Sequence, residues 1–116
     1  MRFENGLIFV NGRFVPGGFS VENGRFAHAL ADVADTESVD LHGARVIPGL
    51  VDVHTHGNSG ADFSDGDYDG LVKMAGYLAK SGVTSFAPAS MTLPYDTLET
   101  AFRTAVRLHK TAPAGC

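Results

Sequence analysis

The sequence predicts an α/β fold in which helices cover a parallel sheet. The first observation is a pair of apolar runs, residues 46–53 and 83–87, that lack the alternation expected of a strand with one face in water. The second is that each run is followed by a segment with helical periodicity. The resulting order of strand, helix, strand and helix is typical of two consecutive βα units with right-handed crossovers.

Residues 1–45 are predicted to form a meander of short strands ahead of these units. The Asn-Gly pairs at 11–12 and 23–24 supply residues that tolerate positive φ, as tight hairpin turns require. Pro16-Gly17-Gly18 predicts a further break in the chain. Residues 39–41 are expected to pair briefly as a strand. The predicted organisation is therefore a meander over 1–45 and the βα units over 46–116.

Both helices are predicted from apolar residues that recur on one face. Ser64, Asp65 or Asp67 is expected to cap the first helix, and Gly82 to follow its end. Pro94 suits the start of the second helix. The apolar face of the first helix consists of Tyr68, Leu71, Val72, Ala75, Leu78 and Ala79. That of the second consists of Tyr95, Leu98, Phe102, Ala105 and His109.

Composition excludes several classes of function. The chain has 116 residues and a net charge of -4, and its nine basic residues form no block. A surface for nucleic acid or anionic membrane needs clustered Lys and Arg, so neither partner is expected. The single cysteine, Cys116, allows no disulfide framework, and no run approaches the length of a membrane span. We expect a cytoplasmic protein.

Two histidines at the end of the first apolar run predict a metal site. Because side chains alternate along a strand, His54 and His56 point to the same side and Thr55 to the other. Asp52 lies on the same face one step deeper, where its carboxylate is expected to accept a ring N–H from a histidine ligand. Active sites of α/β folds lie at this end of the strands. A pair of histidines at a strand end also occurs simply as a polar exit from the core, but the position of the pair and of Asp52 favours the metal site.

The residues around this pair resemble a known family. The run V-I-P-G-L-V-D-V-H-T-H-G at 46–57 resembles the first barrel strand of the amidohydrolase superfamily, whose pattern is P-G-hydrophobic-hydrophobic-D-x-H-x-H-G. Residues 60–63, G-A-D-F, and 82–89, G-V-T-S-F-A-P-A, with Thr92 soon after, resemble the N-acetylglucosamine-6-phosphate deacetylase family. Residues 1–45 are similar to the N-terminal part of that family's small β-sandwich.

The resemblance implies a metal-dependent TIM-barrel hydrolase preceded by part of a β-sandwich. It would deacetylate N-acetylglucosamine 6-phosphate to glucosamine 6-phosphate and acetate, in amino-sugar metabolism. His54 and His56 match the family's metal ligands, and the expected cofactor is zinc, with one or two ions in the complete enzyme. The expected partners are a small amino-sugar phosphate and further copies of the complete enzyme.

The sequence is shorter than a complete enzyme of this kind needs to be. A (β/α)₈ barrel needs about 250 residues, and residues 46–116 suffice for two of its eight units. We therefore expect a truncated N-terminal portion that is inactive alone, with the catalytic Asp and the other ligands elsewhere. His28, His42 and His109 are expected to be ordinary histidines. Two alternatives stay open: another amidohydrolase, acting on a cyclic amide or a nucleobase, and a non-catalytic binding or assembly module.

Overall fold

The computed structural model describes residues 1–27 and 37–111, and His28 and Cys116 lie outside them. The chain divides into two compact units, Met1–Pro48 and Gly49–Cys116. The boundary lies three residues beyond the one expected from the sequence. No helix in the described ranges has the length and apolar character needed to cross a membrane.

The first unit begins with a β-hairpin. Strand β1 (Arg2–Val10) pairs antiparallel with β2 (Arg13–Glu22). Asn11 and Gly12, with φ values of 49° and 81°, form the turn between them. Consecutive positive φ values are what a type I′ hairpin turn requires, so the turn predicted from this Asn-Gly pair is confirmed.

The break predicted at residues 16–18 is wrong, because β2 runs through it. Pro16 pairs with Leu7 of β1 in the ladder. Gly18 lies against the backbone of Phe3, and a Cβ at Gly18 would overlap the Phe3 carbonyl oxygen. Glycine therefore serves a close approach of two backbones at this point and does not end the strand.

The remaining strands of the first unit extend the sheet on both sides of the hairpin. β3 (Arg25–Phe26) pairs antiparallel with β2 after the predicted turn at Asn23 and Gly24. β4 (Ser38–Asp40) and β5 (Arg45–Val46) both pair parallel with β1. The strand order β3-β2-β1-β4 differs from a simple meander. β4 therefore lies on the side of β1 opposite β2.

The second unit follows the predicted order of strand, helix, strand and helix. Its elements are β6 (Leu50–Thr55), the short hairpin β7 (Gly57–Asn58) and β8 (Ala61–Asp62), a 3₁₀ turn (Phe63–Asp65), α1 (Tyr68–Lys80), β9 (Val83–Pro88) and α2 (Tyr95–Thr111). β6 and β9 pair parallel. The two predicted βα units are therefore confirmed, both by the order of the elements and by the parallel direction of the strands.

The strand predicted over residues 46–53 is wrong in extent, because the chain divides it between the two units. Val46 ends β5 in the first unit, and Leu50 begins β6 in the second. Pro48 has no N–H for a strand ladder, which explains the interruption. Gly49 lies against the side chain of Thr84, where a Cβ would overlap the threonine. Pro48-Gly49 thus joins two strands that belong to different sheets.

The core of the second unit lies between α1, α2 and the 3₁₀ turn. Phe63, Leu71, Met74 and Ala101 are each at most 2% exposed. The predicted inner face of α1 is largely buried, and Asp67 caps this helix by accepting hydrogen bonds from the N–H groups of Asp69 and Gly70. Gly82 follows the helix with a φ of 83°, as predicted.

The apolar face predicted for α2 is wrong in part. Tyr95 and Phe102 are 81% and 52% exposed, whereas Ala101 and Leu108 are buried against the core. Ala101 faces the core, whereas the half-exposed Phe102 ring contacts the Phe63 ring edge-on, with 5.6 Å between the centroids. Arg107 stacks over the ring of Tyr68, 3.8 Å from its centroid, at the edge of this contact.

The expectation that the first strand of the second unit is buried on both faces is also wrong for the described residues. Leu50, Val51 and Val53 of β6 are 49%, 65% and 76% exposed. In this part of the chain β6 pairs only with β9, and α1 packs against β9. The apolar residues of β6 are therefore available for contact with further structure.

Candidate functional site

The carboxyl ends of β6 and β9 are aligned. Thr55, at the end of β6, lies opposite Pro88, at the end of β9, in the parallel ladder. Ala89 N–H donates a hydrogen bond to the Thr55 carbonyl oxygen at 2.8 Å, which extends the pairing one residue past β9. The segments that follow the two strands therefore start side by side.

The two histidines of the predicted site lie at this end of β6. His54 is the penultimate residue of β6, and His56 is the first residue after the strand. Their ring centroids are 5.0 Å apart with an interplanar angle of 82°. His54 is exposed and His56 is half-buried. The structure thus brings the two imidazoles close together, as expected for side chains two positions apart.

A backbone carbonyl fixes the orientation of the His56 ring. The Nδ1 atom lies 2.8 Å from the carbonyl oxygen of Ala89. Because a carbonyl oxygen can only accept, Nδ1 carries the proton in this hydrogen bond. In the neutral ring, Nε2 then bears the lone pair and is free to bind a metal ion.

Asp52 lies on the same strand, with a different partner from the expected one. Its Oδ1 accepts a hydrogen bond from the backbone N–H of His54 at 3.0 Å. The carboxylate therefore fixes the backbone at the end of β6. Acceptance of a histidine ring N–H by Asp52 stays a prediction.

The segment after β6 is held by a capping box. Asp62 accepts a hydrogen bond from Ser64 N–H at 2.8 Å, and Asp65 accepts one from Asp62 N–H at 3.1 Å. The two aspartates therefore act as caps of the short 3₁₀ turn. Phe63 N–H also donates to the His56 carbonyl oxygen at 2.8 Å, which ties this turn to the end of the predicted metal site.

Two residues near the histidines were missed by sequence reasoning. Ala89 contributes only its backbone to His56, and no property of an alanine side chain indicates that role. Ser64 accepts a hydrogen bond from Met91 N–H at 3.1 Å, in the segment after β9. The position of Ser64 shortly after a capping aspartate was the available signal. The partner of its hydroxyl, Met91, is 27 residues away in the sequence.

The fit to a metal ion is partial. Two neighbouring imidazoles are a suitable donor set for zinc, which takes three or four protein ligands in its usual sites. Over residues 1–27 and 37–111, no group of three or more His, Cys, Asp or Glu side chains is placed to hold an ion. His42 lies in the first unit beside Asp40, and His109 lies on α2 at an apolar cavity of about 720 Å³. Within these ranges, His54 and His56 are therefore the two neighbouring donors that an ion could use.

Most of the known proteins that match this sequence are deacetylases of the same name. No protein-family model matches the sequence. N-acetylglucosamine-6-phosphate deacetylase of Vibrio furnissii is 38% identical over 58 residues, which are 50% of this chain and 14% of the relative. The deacetylase of the same name from Bos taurus is 32% identical over 96 residues, which are 80% of this chain and 23% of the relative.

A relative with a different activity matches the same chain. The 5-methylthioadenosine/S-adenosylhomocysteine deaminase 2 of Archaeoglobus fulgidus is 40% identical over 54 residues, which are 46% of this chain and 13% of the relative. This match is shorter than that to the mammalian deacetylase.

The fold has a solved counterpart. The crystal structure of N-acetylglucosamine-6-phosphate deacetylase from Pasteurella multocida superposes with a TM-score of 0.84 at 22% identity. The superposition covers 99% of this chain and 32% of that structure. The chain thus spans a small part of the deacetylases that it resembles in sequence and in its α/β fold.

Proposed function

We propose that this chain, similar in sequence and fold to part of the N-acetylglucosamine-6-phosphate deacetylases, supplies the first two metal ligands of an amide hydrolase. The reaction proposed for the complete enzyme removes the acetyl group of N-acetylglucosamine 6-phosphate and gives glucosamine 6-phosphate and acetate. In this proposal, residues 46–116 are the first two βα units of a TIM barrel and residues 1–45 are part of a β-sandwich. The single cysteine of the sequence supports a cytoplasmic location.

The observation that carries the proposal is the pairing of His54 and His56 at the carboxyl end of β6. Their ring centroids are 5.0 Å apart, and the hydrogen bond from His56 Nδ1 to Ala89 leaves Nε2 for a ligand role. Histidines that bind metal ions commonly donate the other ring N–H to a backbone carbonyl, as His56 does here. The geometry therefore favours metal binding over a polar exit from the core.

The residues of this chain have defined tasks in such a site. A bound divalent ion supplies Lewis acidity towards an amide carbonyl and lowers the pKa of water. His54 and His56 hold the ion, and Ala89 orients the ring of His56. Asp52 holds the backbone N–H of His54, which sets where that side chain leaves the strand. The proton transfers to the leaving amine require a general acid–base group that we assign to no described residue.

Zinc binding by the 116-residue chain tests the assignment of the ligands. We expect calorimetric titration to show one zinc site, and His54→Ala and His56→Ala each to weaken binding by more than about tenfold. His109→Ala is the matched control, because this histidine lies on α2 away from the pair. Equal zinc affinity in all four proteins would refute the assignment.

A second candidate function is deamination of a nucleobase or hydrolysis of a cyclic amide. The Archaeoglobus fulgidus deaminase, 40% identical over 54 residues, favours the first of these two reactions. For the isolated chain with zinc, we expect no acetate release above buffer, since no described residue is assigned to transfer a proton to the leaving amine. In any longer form that retains His54 and His56, acetate release from N-acetylglucosamine 6-phosphate would support the deacetylase. Ammonia release from an adenine nucleoside would support the deaminase.

A further inference from the structure

We infer that Ser64 is a positioning residue for His56 and acts through the segment that joins β9 to α2. The serine does not touch the histidine. It holds the chain that carries the Ala89 carbonyl oxygen, and that oxygen sets the tautomer of the ring. The part of this inference that concerns zinc rests on the proposed function, whereas the part that concerns the tautomer does not.

Three hydrogen bonds form the connection. His56 Nδ1 donates to the Ala89 carbonyl oxygen at 2.8 Å. Ala89 N–H donates to Thr55 at 2.8 Å, which fixes the near end of the segment. Met91 N–H donates to Ser64 Oγ at 3.1 Å, which fixes it two residues further on. The Ala89 carbonyl group lies between these two attachments.

The Ser64 hydroxyl is well placed to be the far attachment. The side chain of Met91 is 55% exposed, so packing contributes little to holding this part of the segment. Ser64 itself is fixed, since its N–H donates to Asp62 Oδ1 at 2.8 Å within the capping box. The capping box belongs to the segment after β6, which starts at His56. The serine therefore joins the segments that follow the two parallel strands.

The tautomer of His56 is the property that this connection controls. A neutral imidazole in water exists as a mixture of the two tautomers, and the hydrogen bond that one nitrogen makes decides which form is present. With the carbonyl oxygen held at Nδ1, the lone pair is on Nε2. If the segment moves away, part of the population carries its proton on Nε2, and that form cannot bind a metal ion through that atom.

The first test uses the metal-free 116-residue chain with ¹⁵N-labelled histidine. Nitrogen chemical shifts distinguish the two tautomers when recorded well above the ordinary imidazole pKa of about 6.5. We expect wild-type His56 to be almost entirely protonated on Nδ1, and Ser64→Ala to give a mixture. Ser64→Thr retains the hydroxyl and should restore the wild-type shifts.

Two further variants separate positioning from loss of structure. Ser81→Ala removes a serine hydroxyl that donates to the Tyr77 carbonyl oxygen at the end of α1, so it should leave the His56 shifts unchanged. Ser64→Cys retains the size of the side chain but has only a weak acceptor, and should resemble Ser64→Ala. Unchanged His56 shifts in a folded Ser64→Ala or Ser64→Cys variant would overturn the inference.

The second test is zinc affinity in the same proteins. Loss of one such hydrogen bond should weaken zinc binding by Ser64→Ala roughly two- to tenfold. Ser64→Thr and Ser81→Ala should bind zinc about as tightly as wild type. If the tautomer responds to Ser64 and wild-type protein binds no zinc, the positioning role stands and the proposed function fails. If zinc binds and the tautomer does not respond, the proposed function stands and the positioning role fails.

Discussion

Gly49 lies directly against Thr84, so that a Cβ on Gly49 would overlap the Oγ1, Cγ2 and Cβ atoms of the threonine side chain. Gly49 precedes β6, and Thr84 is the second residue of β9. The Leu50 N–H also donates to the Gly82 carbonyl oxygen at 2.9 Å. The missing side chain at position 49 therefore lets the two parallel strands start together.

We predict that Gly49→Ala destabilises the second unit. Overpacking of a close contact typically costs about 1–3 kcal/mol, because the strand or the threonine must move. The free energy of unfolding measured by urea denaturation checks this value. Gly76→Ala on α1 is the control, since a Cβ there meets no described atom within 4 Å. In a helix interior it should stabilise by roughly 0.5–1 kcal/mol. A loss of stability for Gly76→Ala as large as that for Gly49→Ala would contradict the prediction.

The methionine in the core offers a second prediction. Met74 is 0% exposed, whereas Met91 is 55% exposed. Met74→Ala removes buried side-chain volume between the helices and should cost about 2–5 kcal/mol. Met91→Ala removes the same atoms from a solvated site and should stay within about 0.5 kcal/mol of wild type. Thermal and urea denaturation of the two variants measure the difference, and equal effects would mean that Met74 is not part of the core.

The first unit contains a carboxylate whose pKa responds to the fold. The backbone N–H of His42 donates to Asp40 Oδ1 at 2.8 Å and, with the Asn5 side chain, lowers the pKa of Asp40 below its ordinary value of 3.8. Both donors favour the charged form of the carboxyl group. The unfolded chain therefore takes up a proton at Asp40 at a higher pH than the folded chain does.

The stability of the first unit should consequently decrease in acid. The contribution of Asp40 is fully present above the unfolded-state pKa of 3.8 and is lost as the pH falls through the lower folded-state value. Because Asp40 lies at the surface, the effect is small. Asp40→Asn should remove this part of the acid dependence. Unfolding midpoints recorded from about pH 5 downwards test it, and identical slopes for the two proteins below 3.8 would be the contrary result.

Local features of the fold were predictable from the sequence. The turns at residues 11–12 and 23–24 follow from Asn-Gly pairs, whose backbone tolerates positive φ. The N-cap at Asp67 and the left-handed Gly82 delimit α1 for equally local reasons. Each of these depends on a few consecutive residues, so a sequence pattern contains the information that is needed.

Long-range features were not predictable in the same way. The parallel pairing of β4 and β5 with β1 depends on contacts between distant residues. The exposure of Phe102 depends on which face of α2 meets α1, and periodicity does not distinguish two adjacent apolar stripes. At the candidate site, the His54–His56 pair was visible in sequence, whereas the Ala89 carbonyl that orients His56 was not. Backbone atoms carry no residue-specific signature.

The solvent-facing valines of β6 affect the tendency of the protein to aggregate. Val51 and Val53 lie on a strand that, among the described residues, hydrogen-bonds to a neighbour on one edge only. An apolar strand with a free edge is a template for intermolecular β-pairing and aggregation. Concentrated solutions of Val53→Lys should therefore aggregate more slowly than wild type, because a charged side chain on an edge strand opposes intermolecular pairing.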